Sequence, residues 1–99
     1  MKRVVLSKSA ATDIDNIWSY LASESGSVDR AEGVVADIEK SILQLVKNPE
    51  IGRRCPSVDP MGRCLVCGQY LIYYRALGRR IVITRVLHGK RDQEKAWRE

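Results

Sequence analysis

With 99 residues, 44% of them hydrophobic, 29% charged and only 3 prolines, the chain has the composition of one globular domain, 1–99, which excludes disordered and low-complexity proteins. Three cysteines, an odd number in a chain without an export signal, argue against a disulfide framework and indicate reduced thiols. The formal net charge is +5, and residues 50–99 hold eleven Lys and Arg against five Asp and Glu, which favours an acidic partner such as nucleic acid or an acidic protein, or serves solubility alone.

The first predicted element is a β-strand over residues 2–6, a short segment rich in β-branched side chains. Its apolar stretch is far shorter than the roughly 7–15 residues of a signal peptide. No other stretch of the chain approaches the roughly 18 apolar residues of a membrane span. We therefore expect a cytoplasmic protein with no membrane partner.

Two amphipathic helices follow the strand. Ser7 is placed to cap a helix over Lys8–Ser25, and Ser27 to cap a second over Val28–Lys47, which Pro49 ends. The connection is about three residues long, so the helices are expected to form an antiparallel hairpin. Each helix has one apolar face, and both faces need a sheet to cover.

Apolar residues recur at steps of three and four along both helices, and this spacing marks the buried faces. In the first helix the apolar positions are Ala10, Ile14, Ile17, Trp18 and Leu21. In the second they are Ala31, Val34, Ile38, Ile42 and Leu45, broadened by Val35 and Val46. The spacing predicts that Trp18 lies in the core. It assigns to the other face of the first helix Asp13, Asp15, Asn16 and Ser19.

The remaining sequence predicts a loop over 50–62 and then three strands, Arg63–Cys67, 70–76 and 80–87, joined by tight turns. The predicted fold is therefore α+β in the order β-α-α-β-β-β. An antiparallel helix hairpin packs on one face of a small, mainly antiparallel sheet, and the other face is left for a partner.

Alternation along the last strand predicts which side chains lie on that second face. It groups Ile81, Ile83, Arg85 and Leu87 on one side, against Val82, Thr84, Val86 and His88. Because an unpaired arginine is costly to bury, the arginine-bearing faces are assigned to the uncovered side. We expect Arg75, Arg85 and Tyr73 to form an open basic surface. The alternative is that both arginines are solvated or paired with Asp or Glu.

Four stretches, in order, resemble the ParE branch of the ParE/RelE toxin superfamily and together span nearly the whole chain. They are 6–14 with 17–21, then 48–53 (NPEIGR), 68–75 (GQYLIYYR) and 85–92 (RVLHGKRD), the last being the most specific. The resemblance implies a RelE/ParE-like fold and the toxin of a type II toxin–antitoxin system.

The resemblance also implies partners. Toxins of this kind form hetero-oligomers with a small cognate antitoxin, which wraps along the helix hairpin and the sheet. The ParE branch implies inhibition of DNA gyrase by binding, whereas the related RelE branch cleaves mRNA on the ribosome. An inert, toxin-shaped relic is the third possibility.

We expect the basic carboxy-terminal half to contact the target or the antitoxin. The candidate residues are Tyr73, Arg75, Arg85, His88, Lys90, Arg91 and Trp97. In a metal-independent nuclease the arginines would hold phosphate, while His88 and Tyr73 or Tyr74 would exchange protons. A lone histidine at a strand end is nevertheless more often structural, and Trp97 either packs back on the domain or meets a partner.

Neither a metal site nor sequence-specific DNA binding is expected. Cys64 and Cys67 have the C-x2-C spacing of zinc ligands, but residues three apart on a strand face opposite ways. No cofactor is therefore predicted. The longer helix carries four acids and three bases, so it lacks the basic face of a recognition helix.

Overall fold

The computed structural model describes residues 2–89. The elements are β1 (Arg3–Leu6), α1 (Lys8–Ser25), α2 (Val28–Lys47), β2 (Arg53–Arg54), β3 (Arg63–Cys67), β4 (Tyr70–Leu77) and β5 (Arg80–His88). The strands form one sheet in the order β1-β5-β4-β3-β2, antiparallel except for the parallel pair β1 and β5. The predicted α+β fold is confirmed. The short strand β2 is an addition, formed inside the segment predicted to be a loop.

Serine side chains cap both helices as predicted. Ser7 Oγ accepts a hydrogen bond from the Ala10 N–H at 3.0 Å and donates to the Thr84 carbonyl at 2.9 Å. Ser27 Oγ accepts from the Arg30 N–H at 3.3 Å. The Ser7 hydroxyl thus starts α1 and also fixes that start against β5.

The main core lies between the helix hairpin and one face of the sheet. Its buried residues on α2 are Ala31, Ile38, Ile42 and Leu45, which confirms the predicted apolar face of that helix. From the sheet it takes Tyr70, Ile72, Tyr74, Ile81, Ile83 and Val86. Within residues 2–89 no helix is long and apolar enough to cross a membrane.

The predicted burial of Trp18 is wrong. Trp18 is 36% exposed, whereas Ala10, Ile17 and Leu21 carry the buried face of α1. One residue of helix rotates the side chain by about 100°, so Trp18 lies beside the buried face that Ile17 occupies. The step of four from Ile14 places Trp18 near the apolar face but does not settle how deep it lies.

A β-bulge in β5 overturns the simple alternation predicted for that strand. Tyr73 lies opposite Arg85 while Tyr74 lies opposite Ile83, so Thr84 is the extra residue. Its hydroxyl donates to the Tyr73 carbonyl at 3.1 Å. As a result Ile83 and Val86 both face the helices. The assignment of Ile81 and Ile83 to the uncovered face is wrong, whereas Leu87, beyond the bulge, lies on that face as predicted.

Candidate functional site

The second face of the sheet is not open around Tyr73. Tyr73 is only 3% exposed and belongs to a small cluster of buried residues with Cys64, Leu71 and Leu87. Cys55 and Val58, from the segment between β2 and β3, pack against this cluster. The prediction of an exposed Tyr73 is therefore wrong, because the segment between β2 and β3 folds over this part of the face.

Arg75 is held by an acid of its own chain. Its Nε and Nη2 donate to the two carboxylate oxygens of Asp59 at 2.7 and 3.0 Å. Asp59 is 6% exposed and also accepts a hydrogen bond from the Met61 N–H at 3.1 Å. The Arg75 hydrogen bond holds the pKa of Asp59 below its usual range, against the opposing effect of burial.

Arg85 is held in the same way by Asp13. Its Nε and Nη2 donate to the Asp13 carboxylate at 2.8 and 2.9 Å, and the Val86 N–H donates to Oδ2 at 3.0 Å. Strand β1 ends at Leu6, opposite Ile83, so β5 continues past the end of its neighbour. Asp13 accepts the Val86 N–H at this unpaired part of β5. The prediction that Asp13 lies on the solvent face of α1 is therefore wrong.

These two ion pairs correct the predicted basic surface. Arg75 and Arg85 are both paired intramolecularly, which is the alternative that the sequence left open. Their side chains remain 40% and 27% exposed, but each guanidinium is fixed in a two-point contact. Two nitrogens of each guanidinium are therefore already bonded to an internal carboxylate.

His88 and Tyr74 also make contacts within the chain that hold them in the fold. The His88 ring meets the ring of Tyr70 edge-on at 5.5 Å, and Tyr70 belongs to the main core. The Tyr74 hydroxyl donates to the Pro49 carbonyl at 2.8 Å and accepts from the Gly52 N–H at 2.9 Å. His88 therefore lies on the helix side of the sheet, whereas Tyr73 and Arg75 lie on the other side.

The remaining candidates are three tail residues and the two cysteines with the spacing of zinc ligands. Lys90, Arg91 and Trp97 lie outside the described residues. Cys64 packs with the Tyr73 cluster and Cys67 against the main core, so the two thiols face opposite ways as predicted. No group of three His, Cys, Asp or Glu side chains suited to a metal ion occurs within residues 2–89.

Sequence reasoning missed a concentration of cations at the end of the sheet where β1 and β5 begin. We call this surface the basic end, and it comprises Lys2, Arg3, Arg54, Arg63, Arg79 and Arg80. Its sequence signal is a set of dibasic pairs at strand starts, at 2–3, 53–54 and 79–80. The starts of β1, β3 and β5 lie at one end of the sheet because these strands run in the same direction, and the antiparallel strand β2 brings Arg54 to that end, opposite Arg63.

A groove lies between the helix hairpin and the β3–β4 turn. It has a volume of about 140 Å³ and is lined on the helix side by Leu21, Arg30, Val34 and Asp37, and on the sheet side by Cys67, Gly68, Gln69 and Tyr70. Strand β2 pairs only with Arg63 and Cys64, so within the described residues no strand covers the outer edge of β3 from 65 to 67. The open edge and the groove therefore meet at Cys67, next to Val66, which is 62% exposed.

Comparison with known proteins agrees with this architecture. The family model described as "ParE toxin of type II toxin-antitoxin system, parDE" matches residues 4–93. The chain is 31% identical over 88 residues to Toxin ParE1 of Caulobacter vibrioides, covering 89% of this chain and 90% of that protein. A solved structure of the chromosomal ParDE TA system from P. aeruginosa matches with a TM-score of 0.78 at 26% identity, covering 89% of this chain and 96% of that one. The chain therefore belongs to the ParE toxin family of type II toxin–antitoxin systems.

Proposed function

We propose that this toxin acts by binding DNA gyrase and that a cognate antitoxin neutralises it by binding in turn. One observation favours binding over RNA cleavage: the candidate catalytic groups are already paired or buried within the chain. Arg75 and Arg85 are each held by a carboxylate, and Tyr73 is buried on the opposite face of the sheet from His88.

Metal-free RNA cleavage makes demands that these contacts oppose. It needs an acid and a base within hydrogen-bond reach of one phosphate, together with cations free to hold the charge that develops there. Releasing Arg75 for that purpose would leave the Asp59 carboxylate without its charged partner. The contacts of these residues thus support an inhibitor that acts through its surface.

The groove beside the β3–β4 turn supports the antitoxin part of the proposal. An extended peptide can add to the open edge of β3 through backbone hydrogen bonds and place apolar side chains in the groove. The exposed Val66 lies at this edge, and both Leu21 and Val34 line the groove. An antitoxin segment bound there would cover part of the helix hairpin and of the sheet together.

Two assays run in parallel test the choice of target. Purified chain is added to gyrase with relaxed plasmid and ATP, and separately to ribosomes that translate a defined message. We expect loss of supercoiling, with protein-linked linear DNA, and an intact message. Message cleavage with unaffected gyrase would assign the chain to the RelE-like mRNA nucleases, and no effect in either assay would leave an inert toxin-like domain.

A further inference from the structure

The basic end contains two cross-strand pairs of like charge. Arg3 lies directly opposite Arg80 in the pairing of β1 with β5. Arg54 lies directly opposite Arg63 in the pairing of β2 with β3. Like charges in this arrangement destabilise a sheet, so two of them at one end are a cost to folding that an anionic partner would relieve.

The chain does not neutralise these cations within residues 2–89. The ion pairs there, Arg75 with Asp59 and Arg85 with Asp13, involve none of the six residues of the basic end. Lys2 Nζ donates to the Gly78 carbonyl at 2.7 Å, and Arg63 Nη1 donates to the Gly52 carbonyl at 2.8 Å. These bonds to neutral carbonyls position two of the charges without pairing either with a carboxylate.

The cations also share a concave surface. Lys2, Arg54 and Arg63 line one cleft of about 400 Å³, whose single acidic lining residue is Glu50. The exposed side chains of Arg3, Arg79 and Arg80 continue the positive charge beside it. Strands lie about 4.8 Å apart, so a row of cations across five strands extends over roughly 20 Å.

These dimensions fit a nucleic-acid duplex, which carries one negative charge per about 1.7 Å of its axis. Proteins that hold single strands stack bases on exposed aromatic rings. Within the described residues the exposed aromatic side chains, Trp18 and Tyr20, lie on α1 and not at the basic end. We propose that the basic end binds the phosphodiester backbone of a double-stranded nucleic acid without sequence preference, independently of whether gyrase is the target.

The test is fluorescence anisotropy of a labelled DNA duplex of about 20 base pairs with the full chain, at salt concentrations from about 50 to 200 mM. We expect the duplex to bind, and the logarithm of the binding constant to fall linearly with the logarithm of the salt concentration. The double variant Arg3→Gln/Arg80→Gln should lower the slope by about 2 and weaken binding at low salt roughly tenfold or more. An RNA duplex of equal length shows whether the site prefers one kind of backbone.

Two further variants separate the site from overall charge. Lys8→Gln/Lys40→Gln removes the same charge from exposed positions on α1 and α2 and should change affinity less than about threefold. Arg3→Lys/Arg80→Lys keeps the charge and should retain binding. The thermal unfolding temperature of Arg3→Gln/Arg80→Gln should match or exceed that of the parent chain, because a like-charge pair is removed.

Three results would overturn the proposal. One is absence of binding to either duplex at the lowest salt. The second is an equal loss of affinity in the two double glutamine variants, which would reduce the effect to net charge. The third is a different preference among polyanions. Tighter binding of a single strand would make the partner a single-stranded nucleic acid, and equally strong competition by polyglutamate at matched charge would make it an acidic protein.

Discussion

Asp13 and Asp59 are the two residues on which the surface chemistry of this toxin depends. Each carboxylate holds both nitrogens of an arginine fork and also accepts a backbone N–H, from Val86 or Met61. Each therefore ties a separate part of the chain to the sheet: α1 to the free edge of β5, and the segment after β2 to β4. Removing either acid should loosen that attachment and free an arginine.

Replacing Asp13 by Asn tests the first attachment. We expect the free energy of unfolding to fall by about 2–3 kcal/mol, because charge-assisted bonds to Arg85 are lost from a largely buried carboxylate. Urea denaturation measures the change. Asp15→Asn, at an exposed position of the same helix, is the control and should change stability by less than about 0.5 kcal/mol. Equal effects of the two substitutions would contradict a structural role for Asp13.

Asp59 should make stability depend on pH in the acid range. Its pKa lies below the ordinary 3.8, mainly through the Arg75 hydrogen bond, so its contribution is full above that value and is lost as pH falls through the folded-state pKa. Unfolding free energies of the parent chain and of Asp59→Asn, measured from pH 7 downward, should differ near neutrality and converge in strong acid. A difference that stays constant with pH would exclude this linkage.

Cys64 should be the least reactive of the three thiols. Burial, reinforced by the neighbouring Cys55, raises the pKa of the Cys64 thiol to about 11, and the thiolate is the reactive form. Timed alkylation with iodoacetamide near pH 8, read by peptide mass spectrometry, should modify Cys64 last. Urea supplies the control because unfolding should equalise the three rates. Native-state labelling of Cys64 as fast as that of Cys67 would be inconsistent with its burial.

At the scale of elements, the helix exit is fixed to the sheet by a close approach of backbone to side chain. A Cβ added at Gly52 would lie 2.6 Å from the Tyr74 hydroxyl and 2.9 Å from the Cys64 carbonyl. Tyr74 is fully buried and bonds to both Pro49 and Gly52, so it cannot move aside. The glycine at 52 is therefore required by space, and it sets how α2 leads into β2.

Two glycine-to-alanine variants test that account. Gly52→Ala should lower the unfolding free energy by about 1–3 kcal/mol through overpacking. Gly33→Ala, in the middle of α2 with open space around the added methyl group, should raise it by about 0.5–1 kcal/mol through helix propensity. Thermal melts of both variants give the comparison. A stable Gly52→Ala protein would show that Tyr74 can be displaced.

At the scale of the whole molecule, the sheet separates two sets of surface features. The groove and the open edge of β3 lie at the β3–β4 turn, and the basic end lies where β1 and β5 begin, at the opposite end of β4. An antitoxin segment in the groove and a polyanion at the basic end would therefore not compete for the same residues.

His88 distinguishes binding from catalysis in the intact toxin. His88→Gln removes the group best suited to proton exchange, yet induced expression of the variant should still arrest growth if the toxin acts by binding. Thermal unfolding controls for the lost contact between His88 and Tyr70. A variant that folds normally but no longer arrests growth would favour the nuclease alternative.

Local sequence patterns were sufficient to predict the helices, the three longer strands and the α+β class. Helix bounds follow from a cap and an apolar spacing within a few residues, as at Ser7 and Ser27. Four short stretches in order, of which 85–92 is the most specific, indicated the family. Only the tertiary structure decided which arginines are free. The partners of Arg75 and Arg85 lie 16 and 72 residues away along the chain, and no local pattern specifies such pairs. The same applies to the bulge at Thr84 and to the basic end, which exist because strand direction and register bring distant residues together.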